Sequence, residues 1–318
     1  MFNKYWREYP IWMQLLLLIL MVFTMFSAAT VLSLLLVPML TGVSTAEVVS
    51  IDVNSPHKTV FAFKIFQMIS NLALFGGTAF LFAYTSHPEP VTYLGFRKVK
   101  RPMLVVVSLL LLVASLPIVL QLGQWMRELN FAAANESQER SDTIMKALMQ
   151  DKTVGDLLFT VFVLAVIPAF GEELFFRGVI MRFFHKQTKN ISFAIFMSAG
   201  LFALFHGQLY NLPSIFIMGM VLGYVYYYTG RIWANIIVHF TNNALQIVVE
   251  YMAKNGIIPD SVTENDSFPW YVLVIGTSAA VLFFMLLKKP ATPLPAGWSS
   301  DFTVEELEEK LKELNNRQ

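Results

Sequence analysis

The chain has 318 residues, of which 56% are hydrophobic and only 14% are charged, and its net charge is +1. A typical soluble domain is about 45–50% apolar and about 25% charged. The composition therefore disfavours a soluble enzyme, a disordered chain and a nucleic-acid-binding protein. The sequence contains no cysteine, which excludes disulfide bonds and thiol catalysis.

The apolar residues occur in long blocks, and only a lipid bilayer requires blocks of about 20 residues. The first block is too long for the core of a signal peptide, so we interpret it as a retained span. The alternating segments of about ten residues that build a membrane β-barrel are absent. The sequence therefore predicts an all-α, polytopic membrane bundle of about eight transmembrane helices. The eight apolar segments lie at residues 11–38, 59–85, 103–123, 154–184, 191–207, 212–229, 231–253 and 270–287.

The connections between these segments alternate in charge. Basic connections, such as the one that holds Lys98, alternate with mixed or acidic ones, such as those that hold Asp52 and Asp260. The positive-inside rule then predicts that both termini are cytoplasmic. We expect residues 1–289 to form the membrane domain and 290–318 to form a cytoplasmic tail, with a proline-rich linker and a short amphipathic helix.

Ionisable side chains inside a bilayer are costly, so each of them is a candidate functional residue. Lys64, early in the second segment, is interpreted as a lysine that snorkels to the outer surface. In the fourth segment, Glu173 and Arg177 have the four-residue spacing of a favourable ion pair. Glu172 points about 100° away around the helix, which leaves its carboxylate to act as a general base. The alternative is that these residues merely end a helix at the membrane interface.

Two other segments carry histidines. The fifth ends with Phe202 and His206, and Phe202 is placed to shield the imidazole from lipid. In the seventh, the spacing of Asn235, His239 and Asn243 places them on one helix face. Singly, these residues are explained by packing or interhelical hydrogen bonds. Together with the glutamates, they favour a site in which a carboxylate and an imidazole activate water, while a second imidazole and an amide stabilise an oxyanion.

The sequence disfavours other classes of protease and leaves one other class of membrane protein open. The sequence has no HExxH, no GxSxG and no intramembrane pair of aspartates, which disfavours ordinary zinc, serine and aspartyl proteases. A proton-coupled transporter stays open, because chains of glutamate and histidine also relay protons. Against it, the sequence shows no internal repeat of the kind that many transporters have.

The order of these motifs resembles a known family, the CAAX-protease and bacteriocin-processing family (CPBP, also called Abi), whose eukaryotic relatives are the Ras-converting endopeptidases. The resemblance covers residues 154–253, the motif-bearing core. Three motifs on three membrane helices carry it: Glu172-Glu173-x-x-x-Arg177, Phe202-x-x-x-His206 and His239-x-x-x-Asn243.

The resemblance implies an intramembrane endopeptidase on a helical membrane fold. Glu172 would match the family's water-activating glutamate, with His206 assisting, and His239 and Asn243 would match its oxyanion-stabilising pair. Supporting positions would be Glu173, Arg177, Phe202 and Asn235. The alternative within the family is a non-catalytic membrane scaffold or immunity protein.

The need for a metal stays open from the sequence. Family members are often labelled metalloproteases, and Glu172, His206 and His239 could supply three zinc ligands with an open fourth position. Because no HExxH holds two ligands one turn apart, we expect that no cofactor is required, with a divalent metal such as zinc as the alternative. The expected partners are a membrane-associated protein or peptide substrate and the lipid bilayer, without nucleic acid. The expected location is a bacterial cytoplasmic (inner) membrane.

Overall fold

The computed structural model describes residues 5–259, 267–295 and 297–315. Within these ranges the chain is helical and contains no β-strand, as the sequence predicts. Asp260, which lies in one of the connections predicted to be extracytoplasmic, is outside the described residues. The described residues form twelve helices: α1 (Ile11–Thr41), α2 (Thr45–Val49), α3 (His57–Ser86), α4 (Pro90–Tyr93), α5 (Pro102–Glu128), α6 (Ala132–Leu148), α7 (Val154–Thr188), α8 (Ile191–Phe205), α9 (Leu212–Thr229), α10 (Ile232–Lys254), α11 (Trp270–Lys288) and α12 (Val304–Asn315).

Seven of the described helices, α1, α3, α5, α7, α9, α10 and α11, are long and apolar enough to cross a membrane. The chain is therefore an integral, multi-pass membrane protein. Helix α8 corresponds to the fifth of the eight segments, but it has only 15 residues. At 1.5 Å per residue it is roughly 22 Å long, against a hydrocarbon core of roughly 30 Å. The expected eighth span is thus a shorter helix that packs on α7 and α9 with one face and exposes Phe196 and Leu204 on another.

Local sequence sets the ends of the long helices. Thr153 and Asp156 form a capping box at the start of α7, in which each side chain accepts from the other residue's backbone N–H. Gly230 ends α9 in the left-handed conformation with φ +64°. A Cβ there would lie 2.5 Å from the carbonyl oxygen of Thr292, so this turn requires glycine for close contact as well as for conformation.

The bundle is built around α7 and α10, which pack against each other. Helix α3 covers one side of α7, and α1 packs on α3. Helices α5, α9 and α11 cover the other side of the bundle, with α8 between α7 and α9. Small residues allow close packing of α8 on α9. A Cβ on Gly219 would lie 3.1 Å from Ala199 Cα, and one on Gly223 would lie 2.7 Å from Ile195 Cγ2. The GxxxG spacing in α9 is therefore a packing motif.

Helix α7 is not a regular α-helix. Two π-helical segments, Phe162–Val166 and Leu174–Met181, flank the α-helical turns Ile167–Glu173 that carry the two glutamates. Helix α3 contains a third π-helical segment, Leu72–Gly77, where it packs on this part of α7. π-helical turns are rare and are frequently found at functional sites.

Lys64 is buried rather than snorkelling, so the interpretation from the sequence was wrong. It is only 4% exposed. Its Nζ donates to Asp151 Oδ1 at 2.7 Å and to Thr160 Oγ1 at 2.5 Å. Asp151 comes from the connection between α6 and α7, which folds back against α3. A buried lysine requires such a partner, and the sequence separation of 87 residues conceals it.

The segment after α11 packs back onto the bundle. The backbone N–H of Thr292 donates to Tyr228 O at 2.9 Å, and further along Lys186 binds Asp301 at 2.6 Å. Glu306 accepts two hydrogen bonds from Arg7, at 2.7 and 2.6 Å. The Arg7 guanidinium lowers the pKa of Glu306 to about 2. We call the end of the bundle where this segment packs the tail end. It comprises the starts of α1, α5, α8 and α10 and the ends of α3, α7, α9 and α11.

Candidate active site

A buried ion pair lies at the centre of α7. Arg177 Nη1 donates to Glu173 Oε1 at 2.8 Å, so the pair expected from their spacing is present. Glu173 is fully buried and Arg177 is 1% exposed. Asn235 Nδ2 of α10 also donates to Glu173, and Arg177 Nη2 donates to Gly219 O at 3.0 Å. One carboxylate therefore joins α7 to α10, while its arginine joins α7 to α9.

His239 connects the two glutamates. Its Nδ1 lies 2.8 Å from Glu173 Oε1, and its Nε2 lies 3.9 Å from Glu172 Oε2. An ionised carboxylate only accepts hydrogen bonds, so we assign the Nδ1 proton to the bond with Glu173. Nε2 then faces Glu172 at a distance beyond hydrogen-bond range. Glu173 therefore fixes both the tautomer and the direction of the His239 ring, which the sequence did not reveal.

Glu172 is 7% exposed and has one weak partner. Asn71 Nδ2 of α3 lies 3.4 Å from Glu172 Oε1, while Glu172 Oε2 has no hydrogen-bond partner in the described part of the chain. Gly171 allows α3 this close, because a Cβ there would lie 3.3 Å from the backbone nitrogen of Gly76. Asn71 was not among the site residues predicted from the sequence. The available signal was a polar side chain in a predicted membrane span, which Asn71 shares with Gln67 and Lys64.

His206 lies at the end of α8 and is exposed. Its Nδ1 lies 2.8 Å from Phe202 O. A carbonyl oxygen only accepts, so Nδ1 carries the proton, and Nε2 of the neutral ring is free to accept. The Phe202 ring centroid lies 4.6 Å from the ring of His206 and 5.7 Å from that of His239. Phe202 is buried and so separates the two imidazoles.

A cavity of about 380 Å³ brings several of these residues together. It is lined by Phe202, His206, His239 and Asn243. Glu172 does not line it and approaches it through His239. Asn243 Oδ1 accepts from Asn242 at 3.1 Å, and no described contact joins Asn243 to either glutamate. The remaining polar residues of the lining are Arg127, Gln208, Asn211, Ser214, Asn242 and Gln246.

The geometry does not assemble a metal site from the described residues. No group of three His, Cys, Asp or Glu side chains within those ranges is close enough together to hold a metal ion. Glu172, His206 and His239, the candidate zinc ligands from the sequence, are thus not arranged as three ligands of one ion. A catalytic zinc requires three protein ligands and an open position.

The segment that carries the three motifs matches a known family model. Residues 154–245 match the family model described as type II CAAX prenyl endopeptidase Rce1-like. The motif-bearing segment is similar to the Rce1-like CAAX endopeptidases. The resemblance that the three motifs indicate is therefore confirmed, and all three lie within the matched residues.

Three curated proteins are similar to parts of the chain. YdiL of Bacillus subtilis (strain 168), named as a membrane peptidase, is 28% identical over 90 residues, or 28% of this chain and 36% of that protein. The uncharacterized protein YyaK of the same strain is 29% identical over 125 residues, or 36% of this chain and 42% of that protein. MroQ of Staphylococcus aureus (strain USA300), named a membrane-embedded CAAX protease, is 24% identical over 119 residues, or 36% of this chain and 47% of that protein.

The chain thus spans less than half the length of the curated relatives that it matches. No solved structure matches the chain.

Proposed function

We propose that the protein is an intramembrane endopeptidase that hydrolyses a peptide bond with an activated water. One observation carries the proposal. A buried chain of contacts runs from Arg177 through Glu173 to His239, and it ends beside Glu172 at a polar cavity that also holds His206. Similarity to proteins named as a membrane peptidase and as a CAAX protease supports the same activity.

In this proposal Glu172 is the general base. Its Oε2 has no hydrogen-bond partner in the described part of the chain, so it is free to take a proton from water. Nε2 of His206 accepts the second O–H of that water, because its Nδ1 proton is held by Phe202 O. The water oxygen then attacks the peptide carbonyl. Glu172 passes the captured proton to the departing amine, so the reaction consumes one water and leaves a carboxylic acid and an amine.

His239 and Asn243 stabilise the oxyanion of the tetrahedral intermediate. The Nδ1 proton of His239 is committed to Glu173, so only Nε2 can reach the cavity. Nε2 donates a hydrogen bond only when the ring carries both protons. The proposal therefore requires His239 as an imidazolium when the oxyanion forms, held by the Glu173 carboxylate. The Asn243 amide supplies a second donor from the same face of α10.

Glu173 is a positioning residue in this scheme and Arg177 holds it in place. Neither of them lines the cavity. They hold the His239 imidazole in one direction. A catalytic group must stay within a fraction of an ångström of its productive position.

We also propose where the protein lies in the cell and how its chain is divided. Both termini lie on the cytoplasmic side of a bacterial cytoplasmic membrane, residues 1–289 form the catalytic membrane domain, and 290–318 form the tail. The substrate is a membrane-associated protein or peptide, and whether it is prenylated is a separate question that similarity to CAAX proteases does not answer.

The test begins with the natural substrate. Membranes with and without the protein are compared for new protein termini, and a peptide across a cleaved bond is then offered to the purified enzyme in detergent. Glu172→Gln is expected to abolish cleavage. Glu250→Gln makes the same chemical change on α10 at a partly exposed ion pair with Lys254 and is expected to cleave normally. A folded Glu172→Gln with normal cleavage contradicts the proposal.

The two alternatives give different results in the same material. A scaffold or immunity protein retains its effect on the cell in the Glu172→Gln variant. A proton-coupled transporter carries proton flux in liposomes without producing new termini. Either result would replace the peptidase proposal.

A further inference from the structure

The cavity opens at the end of the bundle opposite the tail end. Its lining comes from residues 116–127 in the second half of α5, from the α8–α9 connection with Gln208 and Asn211, and from α10 as far as Gln246. His206 and Gln246 are exposed there. All of these positions lie away from the residues that contact the tail.

The route from the tail end to the site is closed. Between the Arg177 contact on α9 and the tail end lie Leu222 and Tyr226. Phe176 and Ile232 pack in one hydrophobic cluster with Tyr226, and Leu222 belongs to a neighbouring cluster. None of these four side chains is more than 1% exposed. Interiors packed in this way leave no passage for a peptide.

The two ends differ in charge. The tail end carries a cluster of basic residues: Arg97, Lys98, Lys100, Arg101, Arg182, Lys186, Lys189, Arg231, Lys288 and Lys289. The connections at the opposite end mix both signs, and α6 alone carries Glu136, Glu139, Arg140, Asp142 and Lys146. An excess of lysine and arginine in short connections marks the cytoplasmic side. The tail end is thus the cytoplasmic end.

We infer that the catalytic cavity is entered from the extracytoplasmic side, so that its substrates are exported or membrane-anchored polypeptides whose scissile bond lies outside the cytoplasm. The chemistry at the site rests on the proposed peptidase function, whereas the direction of entry rests on the cavity and the charge distribution.

Helix α6 borders the entrance. Tyr210, in the α8–α9 connection, donates to Phe131 O at 3.0 Å and to Asn135 Oδ1 at 2.5 Å. Ser137 contacts Gly207 O at 3.5 Å. Helix α6 therefore lies against the connection that contributes Gln208 and Asn211 to the lining of the cavity.

The absence of cysteine makes the direction of entry directly measurable. Gln208→Cys places one thiol at the mouth of the cavity, and Lys98→Cys places one at the tail end. Each full-length variant is expressed in cells, treated with a membrane-impermeant maleimide before or after permeabilisation, and checked for monodisperse elution. Gln208→Cys is expected to label in intact cells, and Lys98→Cys only after permeabilisation.

Three outcomes would overturn the inference. Gln208→Cys that labels only after permeabilisation places the mouth on the cytoplasmic side. Lys98→Cys that labels in intact cells reverses the ends of the bundle. Gln208→Cys that never labels, while Lys98→Cys does so after permeabilisation, shows a closed mouth. Labelling needs no catalysis, so each of these results leaves the peptidase proposal to its own test, and an inactive enzyme does not affect the labelling result.

Discussion

Replacing Glu173 by glutamine removes a negative charge from the middle of α7 while it preserves the shape of the side chain. The charge is fully buried and it balances Arg177, which also donates to Gly219 O and lies over the face of the Phe202 ring, 5.0 Å from its centroid. Glutamine also offers an N–H where Glu173 now accepts from Asn235 and His239. The variant leaves a buried cation without its counter-ion and disturbs two further hydrogen bonds.

The magnitude follows from the burial. Breaking a buried ion pair by removal of one partner costs about 3–5 kcal/mol. At about 2 °C per kcal/mol, the lower end for large domains, this corresponds to a fall in melting temperature of roughly 6–10 °C. Glu172→Gln breaks no ion pair within hydrogen-bond distance and has one weak partner, so we expect its melting temperature to change by only about 1–2 °C, in either direction.

The assay is thermal unfolding in one detergent, alongside peptide cleavage, for both variants. Glu172→Gln should be folded and inactive, whereas Glu173→Gln should be less stable and also impaired, because His239 loses its acceptor. Adding Arg177→Met to Glu173→Gln removes the stranded charge and should recover part of the lost stability, as neighbouring pairs are non-additive. Equal melting temperatures for Glu173→Gln and the unaltered protein would refute the argument from burial.

Three further predictions concern other parts of the molecule. Lys64→Met strands the buried carboxylate of Asp151 and should lower stability by about 3–5 kcal/mol, with Asp151→Leu in the same chain recovering much of the loss; an unchanged melting temperature contradicts this. Glu306 has a pKa of about 2 against an ordinary value of 4.5, so its pairing with Arg7 stabilises tail docking fully above pH 4.5 and is lost as the pH falls towards 2. Limited proteolysis should show that the tail is released as the pH falls through this range, and that its release in Glu306→Gln does not depend on pH. Release that is equal at all these pH values in the unaltered protein would contradict the prediction. Chelators should leave cleavage intact, since the described residues assemble no three-ligand site, and activity that is lost and then restored by one equivalent of zinc would show otherwise.

The architecture could be predicted because hydrophobic length is a local signal. Segment 212–229 coincides with α9, and segment 270–287 ends one residue before α11 does. The three motifs were found for a related reason, since each of them occupies a few turns of one helix. The composition of α8 did not show whether this helix spans the membrane. Its apolar segment, 191–207, continues past the end of the helix into the loop that contributes His206 to the site.

Contacts between distant segments could not be predicted. Asn71 reaches Glu172 across 101 residues, and Lys64 reaches Asp151 across 87. Helical spacing gave Glu173 one partner, Arg177, on its own helix. The direction of His239 towards the same carboxylate depends on how α10 packs on α7. A helical wheel contains no information about that packing, so the sequence showed only part of the difference between the roles of Glu172 and Glu173.

The π-helical segments of α7 make the length of this helix as important as its composition. In an α-helix each residue turns the chain by about 100°, and a π-helical turn holds an additional residue. Deleting one residue within Phe162–Val166 would return that turn to α-helical geometry, and the helix before and after it would keep its phase. Deleting one residue from the regular turns Ile167–Glu173 would instead rotate the two halves of α7 against each other by about 100°. Either segment would still be helical, apolar and long enough to span a bilayer. Only the second deletion turns the two halves of the site away from each other, so a deletion between the π-helical segments should be far more damaging than one within them.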